Sequence, residues 1–137
     1  MRAAPKTGFV TAAGQSVSVG QLLEESGGLP VVLAFFKKTC PVCKLAWPYL
    51  QRLHAAYGGK AVRVVGVSQN DLASSRVFYA EYGPATFDLL LDPEPGFGAS
   101  NAFDVDSVPH IVLLEPDGRM SRVFEGWDRK QDRKSVV

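Results

Sequence analysis

The sequence predicts an α/β fold in which a central mixed sheet is flanked by helices, and three observations carry the prediction. Val31-Val32-Leu33-Ala34-Phe35-Phe36 is an unbroken apolar run of strand length, rich in β-branched and aromatic residues. Such runs belong to strands buried on both faces. Strand-like and helix-like segments then alternate through the middle of the chain, so the first strands should run parallel, each crossover carrying a helix. Near the end, Glu115-Pro116-Asp117-Gly118 separates two short apolar runs. Pro presets φ, Asp bonds locally and Gly accepts a positive φ, which makes this the turn of an antiparallel hairpin.

From the N-terminus, Gly14-Gln15-Ser16-Val17-Ser18-Val19 alternates polar and apolar residues and reads as an edge strand or hairpin. Val19–Glu25 reads as a short helix stopped by Gly27-Gly28. After the apolar strand, a helix extends to about Tyr57, with Ala46, Leu50, Leu53 and Tyr57 on one face and Pro48 inside it as a source of bending. Residues 61–67 form a second buried strand, and Asn70 or Asp71 caps a helix that reaches about Tyr82 before Gly83-Pro84. A short strand over 87–91, a Pro/Gly loop, a short helix over 99–103 and the hairpin strands at His110–Leu114 and 120–124 complete the pattern. The expected organisation is one domain over residues 1–137, with 1–13 a flexible arm and 128–137 a solvated tail.

With 137 residues, 46% of them hydrophobic and 21% charged, the chain has the makings of one packed domain. Its 15 Lys and Arg against 14 Asp and Glu give a net charge of +1, without the basic excess of nucleic-acid or anionic-membrane binders. No run of eighteen apolar residues exists to span a bilayer. Residues 1–20 carry Arg2 and Lys6 but no apolar stretch behind them, which does not match a secretory leader. As written the chain is expected in the cytoplasm, the alternative being an extracytoplasmic (periplasmic) location after removal of a leader.

The two cysteines lie three apart, as Cys40-Pro41-Val42-Cys43, where a strand hands over to a helix. Unpaired N–H groups and the helix dipole at such a terminus favour negative charge, hence a thiolate, which is the nucleophilic form. Cys43 follows one helical turn later on the same face, within reach of a mixed disulfide formed at Cys40. Pro41 suits the first helical position, where its missing N–H costs nothing. Lys37, Lys38 and Thr39 precede the pair, and the two lysines add positive charge if they point toward the sulfur. A zinc site is a poor alternative: it needs about four ligands, and beyond the two cysteines only His54 and His110 remain as nitrogen donors. Haem attachment needs His directly after the second Cys, and here that residue is Lys44. No metal and no cofactor is therefore expected.

With these motifs in place, the chain resembles the thioredoxin superfamily. The resemblance rests on the strand Val31–Phe36, the string Cys40-Pro41-Val42-Cys43-Lys44, Pro48, and Val105-Asp106-Ser107-Val108-Pro109 before a strand and the Pro-Asp-Gly turn. It covers roughly residues 14–127 and is closest to the TlpA/ResA branch, related to the alkyl hydroperoxide reductase and redoxin group. It implies a thioredoxin-like fold with an N-terminal hairpin and an extra strand–helix insertion over 87–103, a cis Val108–Pro109 peptide beside the sulfurs, and a Val108 backbone that bonds the substrate peptide. It also implies four departures. Ala34 and Ala46 stand where the superfamily and this branch usually carry carboxylates, Thr39 stands where Trp is common, and the tail is short for a closing helix. His110 follows the cis proline and either tunes the Cys40 thiolate by its charge or points to the opposite face of its strand. His54 reads as a surface residue, Trp47 and Trp127 as packing residues, with Trp127 also a candidate for the groove edge.

The function that follows is thiol–disulfide exchange, with Cys40 and Cys43 catalytic, Val108 and Pro109 binding substrate, and Lys37, Lys38, Thr39, Pro41 and His110 as tuning residues. The expected partners are a protein disulfide or dithiol and an external thiol donor or acceptor, with the chain itself a monomer. Two other readings stand beside it. A peroxiredoxin-like peroxidase would need Pro-x-x-x-Thr/Ser-x-x-Cys, but Leu33 and Lys37 occupy those positions before Cys40, and Phe36 and Cys40 before Cys43. A non-catalytic binding or chaperone module is favoured by the missing carboxylates.

Overall fold

The structure, a computed structural model, describes residues 2–126. The expected tail over 128–137 and Trp127 lie outside the described residues. The eight strands are β1 (Arg2–Ala3), β2 (Gly8–Val10), β3 (Ser16–Ser18), β4 (Val31–Phe36), β5 (Arg63–Ser68), β6 (Asp88–Leu91), β7 (His110–Leu114) and β8 (Arg119–Glu125). They form one sheet in the order β1-β8-β7-β4-β5-β6-β2-β3. Four helices accompany them: α1 (Val19–Glu25), α2 (Pro41–Tyr57), α3 (Leu72–Glu81) and α4 (Gly98–Ala102). The pairs β4–β5 and β5–β6 are parallel, whereas β7 runs antiparallel to β4 and β8 to β7. This is the expected mixed sheet: helical crossovers make the parallel part and the Glu115–Gly118 turn makes the hairpin, with Gly118 at φ 90°.

Every residue of β4 is buried, because helices cover both faces of the sheet. Val31, Leu33 and Phe35 pack with Val19 and Leu22 of α1 and with Ala99 and Phe103 at α4. Val32, Ala34 and Phe36 pack with Cys43, Ala46, Trp47 and Leu50 of α2 and with Phe78 and Tyr79 of α3. The period of two along a strand thus divides one apolar run between two cores. Among the described residues no helix is long and apolar enough to cross a membrane.

Local signals set most helix starts. Ser18 and Gln21 form a reciprocal capping box on α1, with Gln21 N–H donating to Ser18 Oγ at 3.1 Å and Ser18 N–H to Gln21 Oε1 at 2.8 Å. Asp71, rather than Asn70, caps α3 by accepting the Ser74 N–H at 2.7 Å.

Three expectations need correction. Residues 1–13 are not a free arm: β1 pairs with β8, and β2 joins β3 and β6 to the sheet, with Phe9 buried in the core. The buried face of α2 is Cys43, Ala46, Trp47 and Leu50, all in its first ten residues, and Tyr57 at its end is 55% exposed. His54 is not simply a surface residue: its ring lies 6.1 Å from that of Phe87, and its Nδ1 is buried without a hydrogen-bond partner among the described residues. Trp47 is fully buried, as a packing residue should be.

Candidate active site

Strand β4 ends at Phe36, and Lys37, Lys38 and Thr39 turn the chain into α2. Cys40 is the N-cap of that helix, with extended backbone (φ −88°, ψ 109°), and Pro41 takes the first helical position. The cap bond is made by sulfur: the Cys43 N–H donates to Cys40 Sγ at 3.1 Å. The Cys40 thiol in turn donates to the carbonyl oxygen of Val108 at 3.3 Å. The Val108–Pro109 peptide is cis. One sulfur therefore meets a helix N-terminus from one side and the backbone that precedes β7 from the other, and it remains partly exposed.

Cys43 differs in every respect. It is fully buried in the core that contains Ala34, Phe36, Ala46, Trp47 and Ile111. Burial, reinforced by the hydrogen bond with Cys40, pushes its thiol far above the ordinary range, only partly offset by backbone N–H groups. Ala34 and Ala46 sit in this shell as methyl groups, so no carboxylate lies there.

The remaining candidate residues separate. The backbone N–H of Lys38 donates to Asn70 Oδ1 at 2.7 Å and its ammonium reaches Ser74 Oγ at 3.3 Å, which holds Lys38 on α3. Thr39 lines a groove between α2 and α3 together with Lys38, Lys44 and Tyr82. Lys37 lines a different cleft of about 370 Å³ that runs beside Val108. His110 is 2% exposed and points into the core on the opposite side of the sheet from Cys43, its ring edge-on to Phe35 with centroids 6.0 Å apart. The alternation of the strand thus takes the imidazole away from the sulfurs. Burial lowers its pKa below 6.5 against the raising effect of Glu125, Asp106 and Asp104.

Sequence reasoning did not find the other wall of the Val108 cleft. Gln69 at the end of β5 donates to Ser100 Oγ of α4 at 2.9 Å, and both line the cleft. The insertion that carries Ser100 is anchored by buried Asp92, whose carboxylate accepts the N–H groups of Ala99 and Ser100 at 3.0 and 2.7 Å. The only sequence signal was an Asp closing an apolar run before a Pro/Gly loop. Among the described residues no three His, Cys, Asp or Glu side chains gather as a metal site would require.

The chain resembles known proteins in sequence and in fold. The AhpC/TSA family model matches residues 2–123. The thiol-disulfide oxidoreductase ResA of Geobacillus kaustophilus is 26% identical over 110 residues, covering 80% of this chain and 62% of that protein. ResA of Bacillus subtilis is 27% identical over 108 residues, covering 76% and 57%. The chain thus spans about three fifths of the length of these relatives. Among solved structures, a putative thiol:disulfide interchange protein DsbE from Chlorobium tepidum superposes with a TM-score of 0.79 at 23% identity, covering 98% of this chain and 90% of that one. The dsbF protein of MTB superposes with a TM-score of 0.77 at 25% identity, covering 96% and 92%. The chain belongs to the AhpC/TSA family and is a TlpA/ResA-like protein of the thioredoxin superfamily.

Proposed function

We propose that the chain is a thiol–disulfide oxidoreductase acting on protein substrates through a mixed disulfide at Cys40. The observation that carries this reading is the placement of Cys40 Sγ, partly exposed and held between the Cys43 N–H and the Val108 carbonyl. The names of the ResA relatives and the DsbE-like neighbours support it.

In the reducing direction the Cys40 thiolate attacks one sulfur of a client disulfide. The Cys40–client S–S bond forms, the client S–S bond breaks, and the released client sulfur takes a proton. Cys43 then loses its proton and attacks Cys40, which forms the internal disulfide and expels the second client thiol. The client gains two electrons and the chain loses two. The oxidising direction is the reverse. With two cysteines in the chain, an external thiol donor or acceptor must restore the pair.

The test uses a disulfide-bonded peptide. Cys40→Ser should abolish exchange, and Cys43→Ser should accumulate a Cys40–peptide adduct visible by mass spectrometry without reductant. Equilibration with glutathione gives the direction: a potential near about −270 mV marks a reductant and one near about −120 mV an oxidant. If no Cys40–Cys43 disulfide forms at any poise, the reading is wrong. The AhpC/TSA match keeps a thiol peroxidase as the second reading, and peroxide turnover that survives Cys43→Ser would put it first.

A further inference from the structure

His110 is 2% exposed, and among the described residues neither of its ring nitrogens has a hydrogen-bond partner. An apolar side chain would fill the same space without that cost, so the imidazole calls for an explanation. Its position supplies one. His110 is the first residue of β7 and follows the Val108–Pro109 segment directly. It pairs with Phe35 of β4 on one side and Glu125 of β8 on the other. The Pro109 carbonyl accepts the Gly126 N–H at 2.7 Å, and the Val108 carbonyl accepts from Cys40. The buried ring thus sits where the backbone that carries Val108 enters the sheet.

We propose that His110 is a positioning residue: its neutral imidazole holds the Val108 carbonyl in place for the client peptide, and protonation in mild acid releases that carbonyl by driving the ring out of the core. The inference rests on the oxidoreductase reading and adds a pH control to it. From β4 the ring meets Phe35, which offers a cation no hydrogen bond. The charged groups that act on it are Glu125 from β8 and Asp104 and Asp106 from the loop before Val108. All three carboxylates are exposed. The neutral ring is thus stable inside and the imidazolium is stable outside, and the segment that must move between them carries Val108. Burial lowers the pKa of the ring, so the charged form is expelled at pH values below the ordinary 6.5.

The experiment compares two substrates of the same reduced protein across mildly acidic to neutral pH. A disulfide-bonded peptide needs the Val108 backbone; dithiodipyridine, a small disulfide without a peptide backbone, does not. Their rate ratio cancels the titration of the attacking thiol. The expected result is a ratio that falls about tenfold as pH drops below 6.5 in the unsubstituted protein, and that loses this dependence in His110→Phe. A ratio that is flat in the unsubstituted protein, or that falls equally in His110→Phe, overturns the proposal. As a measurement independent of the variant, Gly126 amide protection, read by hydrogen exchange and corrected for intrinsic rates, should fall with the same midpoint as the His110 ring titrates. Protection that does not change with ring titration overturns the proposal as well. Failure of the oxidoreductase reading looks different, as no peptide exchange at any pH; the Gly126 measurement then decides the His110 inference alone.

Discussion

Asp92→Ala should be among the most damaging single substitutions outside the sulfur pair, and its cost can be worked from four atoms. Asp92 is 2% exposed, its Oδ1 accepts the Ala99 N–H at 3.0 Å and its Oδ2 the Ser100 N–H at 2.7 Å. Helix α4 is only five residues long, and its N-cap, Phe97, sits in the left-handed region (φ 44°) with no side-chain cap bond. Asp92 therefore supplies from a distance the cap that the local sequence lacks. Each hydrogen bond to a charged group contributes about 1.5–3 kcal/mol, and both donors are buried. Their combined loss is about 3–6 kcal/mol, a third to three fifths of the stability of a typical domain of roughly 10 kcal/mol. Asp92→Asn keeps one acceptor and turns an NH₂ group toward the other donor, so it should cost about half as much. Urea titration reads both variants as a lower midpoint at unchanged slope. If Asp92→Ala lies within about 0.5 kcal/mol of the parent, the scale of a neutral surface change, the capping argument fails.

Two further outcomes follow from the packing. Iodoacetamide at neutral pH should modify Cys40 in the reduced protein and Cys43 roughly a hundredfold more slowly, since the thiolate is the reactive form and Cys43 is fully buried with its thiol pushed up; peptide mapping that finds equal labelling contradicts the asymmetry. Gly66→Ala should destabilise by about 1–3 kcal/mol, because its β-carbon would collide with the Tyr79 hydroxyl, which donates to the Asp88 carbonyl at 3.0 Å, and would press on the Trp47 ring at 3.2 Å; a Tm equal to that of the parent rules this out.

What could be read from the chain and what could not divides by the range of the signal. The bounds of α1, β4 and β7 were legible because a Gly-Gly stop, continuous apolarity and a proline before the strand act within a few positions. The Cys40–Cys43 spacing is likewise local, and Val108 met the sulfur where the resemblance placed it. Arg2-Ala3 has no intrinsic strand signal; it is a strand because Met120 and Arg119 of β8 stand opposite. Asp92 could not be recognised as a cap, because its donors lie seven and eight residues away across a loop. The face chosen by His110 was also hidden: periodicity fixes which residues share a face but not which face looks toward α2.

The two thiols divide the proposed exchange by access before chemistry enters. An external disulfide can meet Cys40, which is partly exposed, and cannot meet Cys43, which is not exposed at all. The first attack is therefore assigned by sterics. The second comes from within: Cys43 lies one turn along α2, its N–H already directed at Cys40 Sγ, so its sulfur approaches from the protein side and the client sulfur leaves toward solvent. This step needs a proton acceptor, and the core side chains packed with Cys43, among them Ala34, Phe36, Ala46, Trp47 and Ile111, are apolar. The client thiolate released by the first attack is a base that the exchange itself supplies, because it takes up a proton as Cys43 gives one up. Burial of Cys43 thus keeps the wrong sulfur out of the first step and leaves its ionisation to a base that the first step releases.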